Sequence, residues 1–298
     1  MSDNVIEIRN VTRRFGKKTA LEEVSLSIPR GGVFGLVGEN GAGKTTLIRH
    51  VLGLLKAKTG SVRVFEMDPV RNPVGTLGRT GYLSEDRDMP DWMRIEELLR
   101  YSEPFYPNWD SSYADELCKV FQLDKKQKIG TLSRGQRART GLLVALAHRP
   151  QLLLLDEPSS GLDPVVRRDI LGAIIRTVAQ EGRTVLFSSH LLDEVERVVD
   201  SVAMMHRGRV VLTDSMDHIR QSHRNVTLRF SEPQTKRPEL PGMISCVGSG
   251  LEWTFLCNGG ISDLRAAAKR LGAQIVNEKA PTLDEVFVAR VKQCDGCQ

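Results

Sequence analysis

The sequence is short of several things at once, and each absence removes a class of protein. No apolar stretch in its 298 residues comes near the roughly 20 that a membrane-spanning helix requires. The longest, Gly141 to Ala147 and Leu152 to Leu155, fall far below that length. The start, Met1-Ser2-Asp3-Asn4, lacks the basic and apolar regions of a secretory signal, so the chain is expected to begin and remain in the cytosol. Cysteine is sparse. Cys118, Cys246, Cys257, Cys294 and Cys297 form an odd, scattered set, for which reduced thiols are the default without a secretion signal. Charge of one sign is not in excess either: 42 basic residues face 37 acidic ones, a net charge of +5 with no block of like charges. Such a surface suits acidic ligands or anionic lipid, and no nucleic acid is expected.

Against that plain background one segment stands out. Gly38-Glu39-Asn40-Gly41-Ala42-Gly43-Lys44-Thr45 fits the spacing G-x-x-x-x-G-K-[ST]. It follows the apolar run Val33 to Val37 and precedes Thr46-Leu47-Ile48-Arg49, so it reads as strand, loop and helix. Glycines at Gly38, Gly41 and Gly43 let backbone N–H groups gather around phosphate oxygens, and the helix N-terminus adds positive potential. Lys44 can reach the β- and γ-phosphates, and the Thr45 hydroxyl can ligate Mg²⁺. The segment Gly38 to Thr46 is therefore expected to bind a nucleoside triphosphate.

Strand and helix signals alternate from Val5 to about Ile219. Val5 to Ile8 and Val24 to Ile28 alternate with period two, as half-buried strands near a sheet edge do. Leu152 to Leu155 and Val185 to Phe187 are continuous apolar runs, expected of strands buried on both faces of a parallel sheet. Helices are expected over Lys44–Leu55, Arg94–Ser102, Ser112–Phe121, Ser133–His148 and Val165–Gln180. This order implies an α/β nucleotide-binding core with a helical subdomain at about 90–148. Composition changes after Ile219. Polar residues Gln221 to Asn225 lead into a β-rich unit with two helices, and three prolines between Pro233 and Pro241 suggest a loop. A boundary near residue 222 separates a first domain, 1–222, from a small α+β domain, 223–298.

Two further motifs bear on chemistry. Leu152-Leu153-Leu154-Leu155-Asp156-Glu157 is a buried strand ending in two carboxylates, at the edge where a parallel sheet binds ligands. Asp156 is placed to hold Mg²⁺, and Glu157 to polarise the attacking water. Leu132-Ser133-Arg134-Gly135-Gln136 opens a helix, with Ser133 as N-cap and Gly135 keeping the backbone open. A helix start of this kind is an anion site, yet a single chain has no evident need for two phosphate sites.

At this point the chain resembles the ATP-binding subunits of ABC transporters, over nearly the whole stretch from Val5 to Ile219. The resemblance implies a P-loop NTPase core with an antiparallel β edge and a helical subdomain. It also implies that Ser133, Gly135 and Gln136 of one subunit close on ATP held by another. Phe15 matches the aromatic that stacks on adenine, with packing at a strand end as its alternative role. Asp163, in Ser160-Gly161-Leu162-Asp163, matches the loop that links the two sites of a dimer, and His190 the residue that contacts the γ-phosphate. Glu85 stands where the family usually has glutamine; a carboxylate there can still sense Mg²⁺ and water. Arg134 replaces the more common glycine of the signature.

Six aromatics, Trp92, Tyr101, Phe105, Tyr106, Trp109 and Tyr113, fall in one short stretch of a chain that is only 5% aromatic. In the resembled family this region receives a helix of the membrane subunit; filling the core of the helical subdomain is the other reading, and a mixture is expected. Glu85, the Phe105-to-Asp110 run and the ending Pro281 to Val288 look like bacterial type-2 exporters of the multidrug, bacitracin-like and acetoin-linked group. The resemblance implies an ATPase that works as a homodimer, or a heterodimer with a second ATPase. Its partner would be a separately encoded membrane permease, which would hold this chain peripherally at the cytoplasmic face of the plasma membrane, the bacterial inner membrane. An importer ATPase and a soluble ABC ATPase acting on ribosomes or DNA are the alternatives. The second is disfavoured by the single cassette and by the short interval between Lys44 and Ser133. The C-terminal domain reads as a dimerisation or regulatory module, with a small-molecule sensor open, and Cys294-x-x-Cys297 as a tail rather than a metal or redox pair.

Overall fold

The computed structural model describes residues 3–295, the side chains of 174, 176–181, 261 and 295 excepted. The first part of the chain runs β1 (Asn4–Phe15), β2 (Lys18–Pro29), β3 (Gly32–Val37), α1 (Lys44–Val51), β4 (Thr59–Val64), α2 (Pro73–Leu77), β5 (Thr80–Leu83), α3 (Ile95–Ser102), α4 (Ser111–Val120) and α5 (Arg134–Ala147). It continues through β6 (Leu152–Asp156), α6 (Pro164–Glu181), β7 (Thr184–Ser189), α7 (Leu192–Val195), β8 (Ser201–His206) and β9 (Arg209–Ser215). The rest is α8 (Met216–Ser222), β10 (His223–Gln234), β11 (Met243–Asn258), α9 (Ile261–Arg270), β12 (Ala273–Lys279) and α10 (Leu283–Asp295). Two compact units emerge: Met1–Leu191 with Val198–Val210, and Leu192–Arg197 with Val211–Gln298.

In the first unit the strands divide by their patterning. β2 buries Val24, Leu26 and Ile28 while Ser25 and Ser27 stay exposed. It pairs antiparallel with β1, which pairs antiparallel with β4 in turn. β6 and β7 are buried at every position, and a strand with no polar face must be covered on both sides. They lie inside a parallel ladder of order β5-β6-β7-β3-β8, with β9 outermost. α1 fills the space between the two sheets. Leu47 and Ile48 join Ile6, Ile8 and Leu26 on one side and Leu36, Leu154 and Leu186 on the other. Each such buried side chain stabilises by about 1.5–3 kcal/mol. The result is the α/β nucleotide-binding core with an antiparallel edge that the sequence implied.

Helix α1 stops at Val51 rather than at Leu55. Gly53 takes a φ of 73°, and a Cβ there would meet the Pro69 carbonyl at 2.5 Å, so the chain turns where a side chain would not fit. Strands β4 and β5 escaped the sequence reading because few of their positions are apolar: β4 buries only Val62 and Val64. The aromatic stretch is a mixture. Trp92, Tyr101 and Phe105 are exposed, whereas Tyr106 stacks between Trp109 and His148.

The second unit is built on the antiparallel sheet β11-β10-β12. Its core joins Val226, Leu228 and Phe230 with Phe255, Leu264 and Ala268. Cys118, Cys246, Cys257 and Cys294 are all free, and burial pushes the Cys257 thiol up to about 11. Cys297 lies outside the described residues. Among the described residues no helix is long and apolar enough to cross a membrane.

Candidate nucleotide site

Strand register brings the three loops that matter to one edge. Asp156 pairs with Ser188 across β6 and β7, and Val37 pairs with Ser189 across β3 and β7. The phosphate-loop segment, the Asp156-Glu157 pair and His190 therefore leave the sheet side by side at its carboxyl end, where open α/β sheets bind ligands.

The loop between β3 and α1 is shaped by glycine. Gly43 has a φ of 107°, and a Cβ on it would lie 2.5 Å from the Ala20 carbonyl; one on Gly38 would lie 2.3 Å from that of Met205. No other residue fits either place without moving the backbone. The Ala42 N–H closes a turn onto the Glu39 carbonyl at 3.1 Å. Lys44 Nζ folds back into the loop, donating to the Gly38 carbonyl at 2.6 Å and the Glu39 carbonyl at 3.2 Å.

The same ammonium lies 3.0 Å from Glu157 Oε1, with both side chains 5% exposed. The other carboxylate oxygen, Oε2, meets His190 Nδ1 at 2.7 Å. Glu157 itself holds a φ of 46°, a conformation that costs a non-glycine residue about 1 kcal/mol or more and tends to collect at functional sites. Asp156 sits deeper. Its Oδ1 accepts from Thr45 Oγ1 at 3.2 Å and from Ser188 Oγ at 2.7 Å, and burial raises its carboxyl above the usual carboxylate range. Ser188 Oγ also accepts from the Glu157 N–H at 2.9 Å. Ser188 thus fastens the Asp156 carboxylate to the Glu157 backbone, a role absent from the sequence reading. Its only signal was a pair of serines between an apolar strand and a histidine.

Beside this cluster opens a cleft of about 310 Å³, lined by Phe15, Asn40, Thr45, Thr46, Glu85 and Glu157 among others. Phe15 is 46% exposed, its ring covered by the Arg13 guanidinium 4.7 Å from the centroid. Glu85 is exposed, and its carboxylate lies 3.5 Å from Ser160 Oγ.

Not every candidate comes to this cleft. Ser133 caps α5, its Oγ accepting from the Gln136 N–H at 3.2 Å while Gln136 Oε1 accepts from the Ser133 N–H at 2.9 Å. Gly135 packs against α6, where an added Cβ would meet Val166 Cγ2 at 2.7 Å. Asp163 accepts from the Val165 and Val166 N–H groups at 3.0 and 3.1 Å, and these bonds hold its carboxyl below the usual range. Ser133, Gly135, Gln136 and Asp163 do not line the cleft of their own chain.

A family model described as ABC transporter matches residues 21–160. The chain is similar to the ABC transporter ATP-binding protein YtrB of Bacillus subtilis (strain 168). Identity there is 26% over 286 residues, 96% of this chain and 98% of the relative. It is 30% identical over 222 residues to the bacitracin transport ATP-binding protein BcrA of Bacillus licheniformis, 74% of this chain and 72% of that one. Among solved structures, one described as the ATP binding subunit of an ABC transporter superposes with a TM-score of 0.66 at 27% identity, over 72% of this chain and 92% of that one.

Proposed function

The chain belongs to the ATP-binding proteins of ABC transporters and is an ATPase of that family, and from this premise we propose that it powers export through a separately encoded membrane permease. The observation that carries the ATPase part of the reading is the buried Lys44–Glu157 pair beside the phosphate-binding loop, with half-buried His190 against its other side. Phe15 stacks on the adenine base, and the backbone from Gly38 to Thr46 surrounds the phosphates. Lys44 is held in reserve: a triphosphate gives its ammonium stronger partners than the Gly38 and Glu39 carbonyls, and draws it from Glu157. Glu157, released on one side and still oriented by His190, takes a proton from the attacking water. His190 faces the γ-phosphate.

Residues for a metal ion fit as well. The Thr45 hydroxyl and the Asp156 carboxylate stand 3.2 Å apart as hard oxygen donors, the set Mg²⁺ prefers, with Glu85 at the rim of the same cleft. When bound there, Mg²⁺ neutralises charge on the phosphates. Ser133, Gly135, Gln136 and Asp163, turned away from the local cleft, complete the site of a second ATPase copy. A homodimer is sufficient for this, since one chain carries both halves; a heterodimer with a second ATPase is the other arrangement.

Export rather than import is favoured by likeness to a bacitracin transport protein and by Glu85 in place of glutamine. Trp92, Tyr101 and Phe105 are each exposed, and the last two touch with ring centroids 5.4 Å apart; they offer the permease aromatic anchors. Docking would hold the chain peripherally at the cytoplasmic face of the membrane. The C-terminal domain is a dimerisation or regulatory module; the alignment with YtrB, covering 96% of the chain, extends through it. Affinity purification from native membranes tests the proposal. A multispanning protein should come with the chain, and ribosomal or DNA-processing proteins in its place would refute it.

A further inference from the structure

The segment between β5 and α3 carries the chain from the sheet into the helices α3 to α5. Within it Arg87 is 8% exposed and has a φ of 51°. Its Nη2 donates to two backbone carbonyls, Pro158 at 3.0 Å and Ser160 at 2.8 Å. Both belong to the turn that starts at Glu157, closed by the Ser160 N–H donating to the Glu157 carbonyl at 3.1 Å. Glu157 is the residue held in the left-handed conformation, so its carboxylate points where it does only while this turn keeps its shape. A buried guanidinium bonded to neutral carbonyls, with no described carboxylate within ion-pair distance, is a costly arrangement. A general surface anchor would not need it. Two residues before it, Glu85 lies 3.5 Å from the Ser160 hydroxyl, a second link between the same two segments.

We infer that Arg87 is a positioning residue: it fixes the turn that orients Glu157, and ties that turn to the segment from which the helices α3 to α5 depart. Displacement of those helices would drag Arg87 from the Pro158 and Ser160 carbonyls and let Glu157 relax. Hydrolysis is thereby made conditional on where the helices stand. The inference rests on the reading of Glu157 as the residue that activates water.

Arg87→Gln and Arg87→Lys, made in the full chain, test it through three readings: affinity for a fluorescent ADP analogue, kcat, and amide exchange over residues 157–163. Arg87→Gln should lower kcat about tenfold or more, as small misplacements of a reacting group do. Its ADP affinity should stay within about twofold of wild type, with faster exchange confined to the turn. Arg87→Lys, keeping the charge but losing the fork, should recover part of kcat. An unchanged kcat, unchanged exchange in the turn, or affinity falling in step with kcat would overturn the inference. Should Arg87→Gln not fold, Arg87→Lys decides by the same readings. Glu157→Gln is measured alongside. If it hydrolyses like wild type, the reading of Glu157 fails; if it is inactive while Arg87→Gln retains full kcat, only the inference about Arg87 fails.

Discussion

His148, at the end of α5, makes stability depend on pH in a way that can be worked out. Its side chain is 1% exposed and stacks on Tyr106 with ring centroids 3.9 Å apart. Burial pushes the imidazole down from its ordinary value to about 4. Between an unfolded-chain value near 6.5 and this one, the unfolded chain binds a proton that the folded chain refuses, so stability falls as pH falls. The loss from this one group is about 1.4 kcal/mol by pH 5.5 and about 2.5 kcal/mol by pH 4.5, relative to neutral pH. His50 and His223 are also lowered by burial and act in the same direction, so the wild-type curve alone does not isolate His148. His148→Phe keeps the stack on Tyr106 and removes the titration. Urea unfolding of both proteins at pH 7.5, 6.5, 5.5 and 4.5, followed by circular dichroism, gives the difference. The gap between them should narrow, or reverse, in favour of the variant by about 2.5 kcal/mol on going to pH 4.5. Parallel loss in the two proteins would refute the assignment of a buried neutral histidine at this position.

Phe15→Ala should weaken ATP binding by about 1 kcal/mol, roughly fivefold, and leave inorganic tripolyphosphate binding unchanged; equal losses for both ligands would remove Phe15 from base stacking. Gly43→Ala places a Cβ 2.5 Å from the Ala20 carbonyl and should abolish nucleotide binding at a cost of about 1–3 kcal/mol in stability. Calorimetry and nucleotide titration read both, and a stable variant with wild-type affinity would show that the loop tolerates a side chain there.

What could be read from the sequence was local. Four leucines before Asp156 required a strand buried on both faces, and that strand could end only at the binding edge of a parallel sheet. Ser133 followed three residues later by Gln136 is a capping box, a pattern whose geometry the backbone dictates. The residues that escaped act across long separations. Ser188 binds Asp156 and the Glu157 N–H through strand register, which no spacing within the chain reveals. Gly135, read as leaving its backbone open, also sits where a Cβ would meet Val166 on the next helix, a contact that no local spacing reveals. Arg87 lies in the mostly acidic segment Glu85-Asp86-Arg87-Asp88, where a buried guanidinium bonded to carbonyls resembles any exposed arginine. The ion pair of Lys44 with Glu157 joins two motifs that the sequence read as separate parts of one site, each assigned to a bound nucleotide and not to each other.

The most direct test of the account is the ATP turnover of Glu157→Gln beside the wild-type chain. The amide preserves the shape of Glu157 and removes its capacity to accept the proton of water, so kcat should fall by about 10²–10⁴-fold. ATP binding should persist, and the ATP-bound protein should accumulate as a dimer on size-exclusion chromatography. Turnover at the wild-type rate would contradict the assignment of the Lys44–Glu157–His190 cluster as the site of hydrolysis.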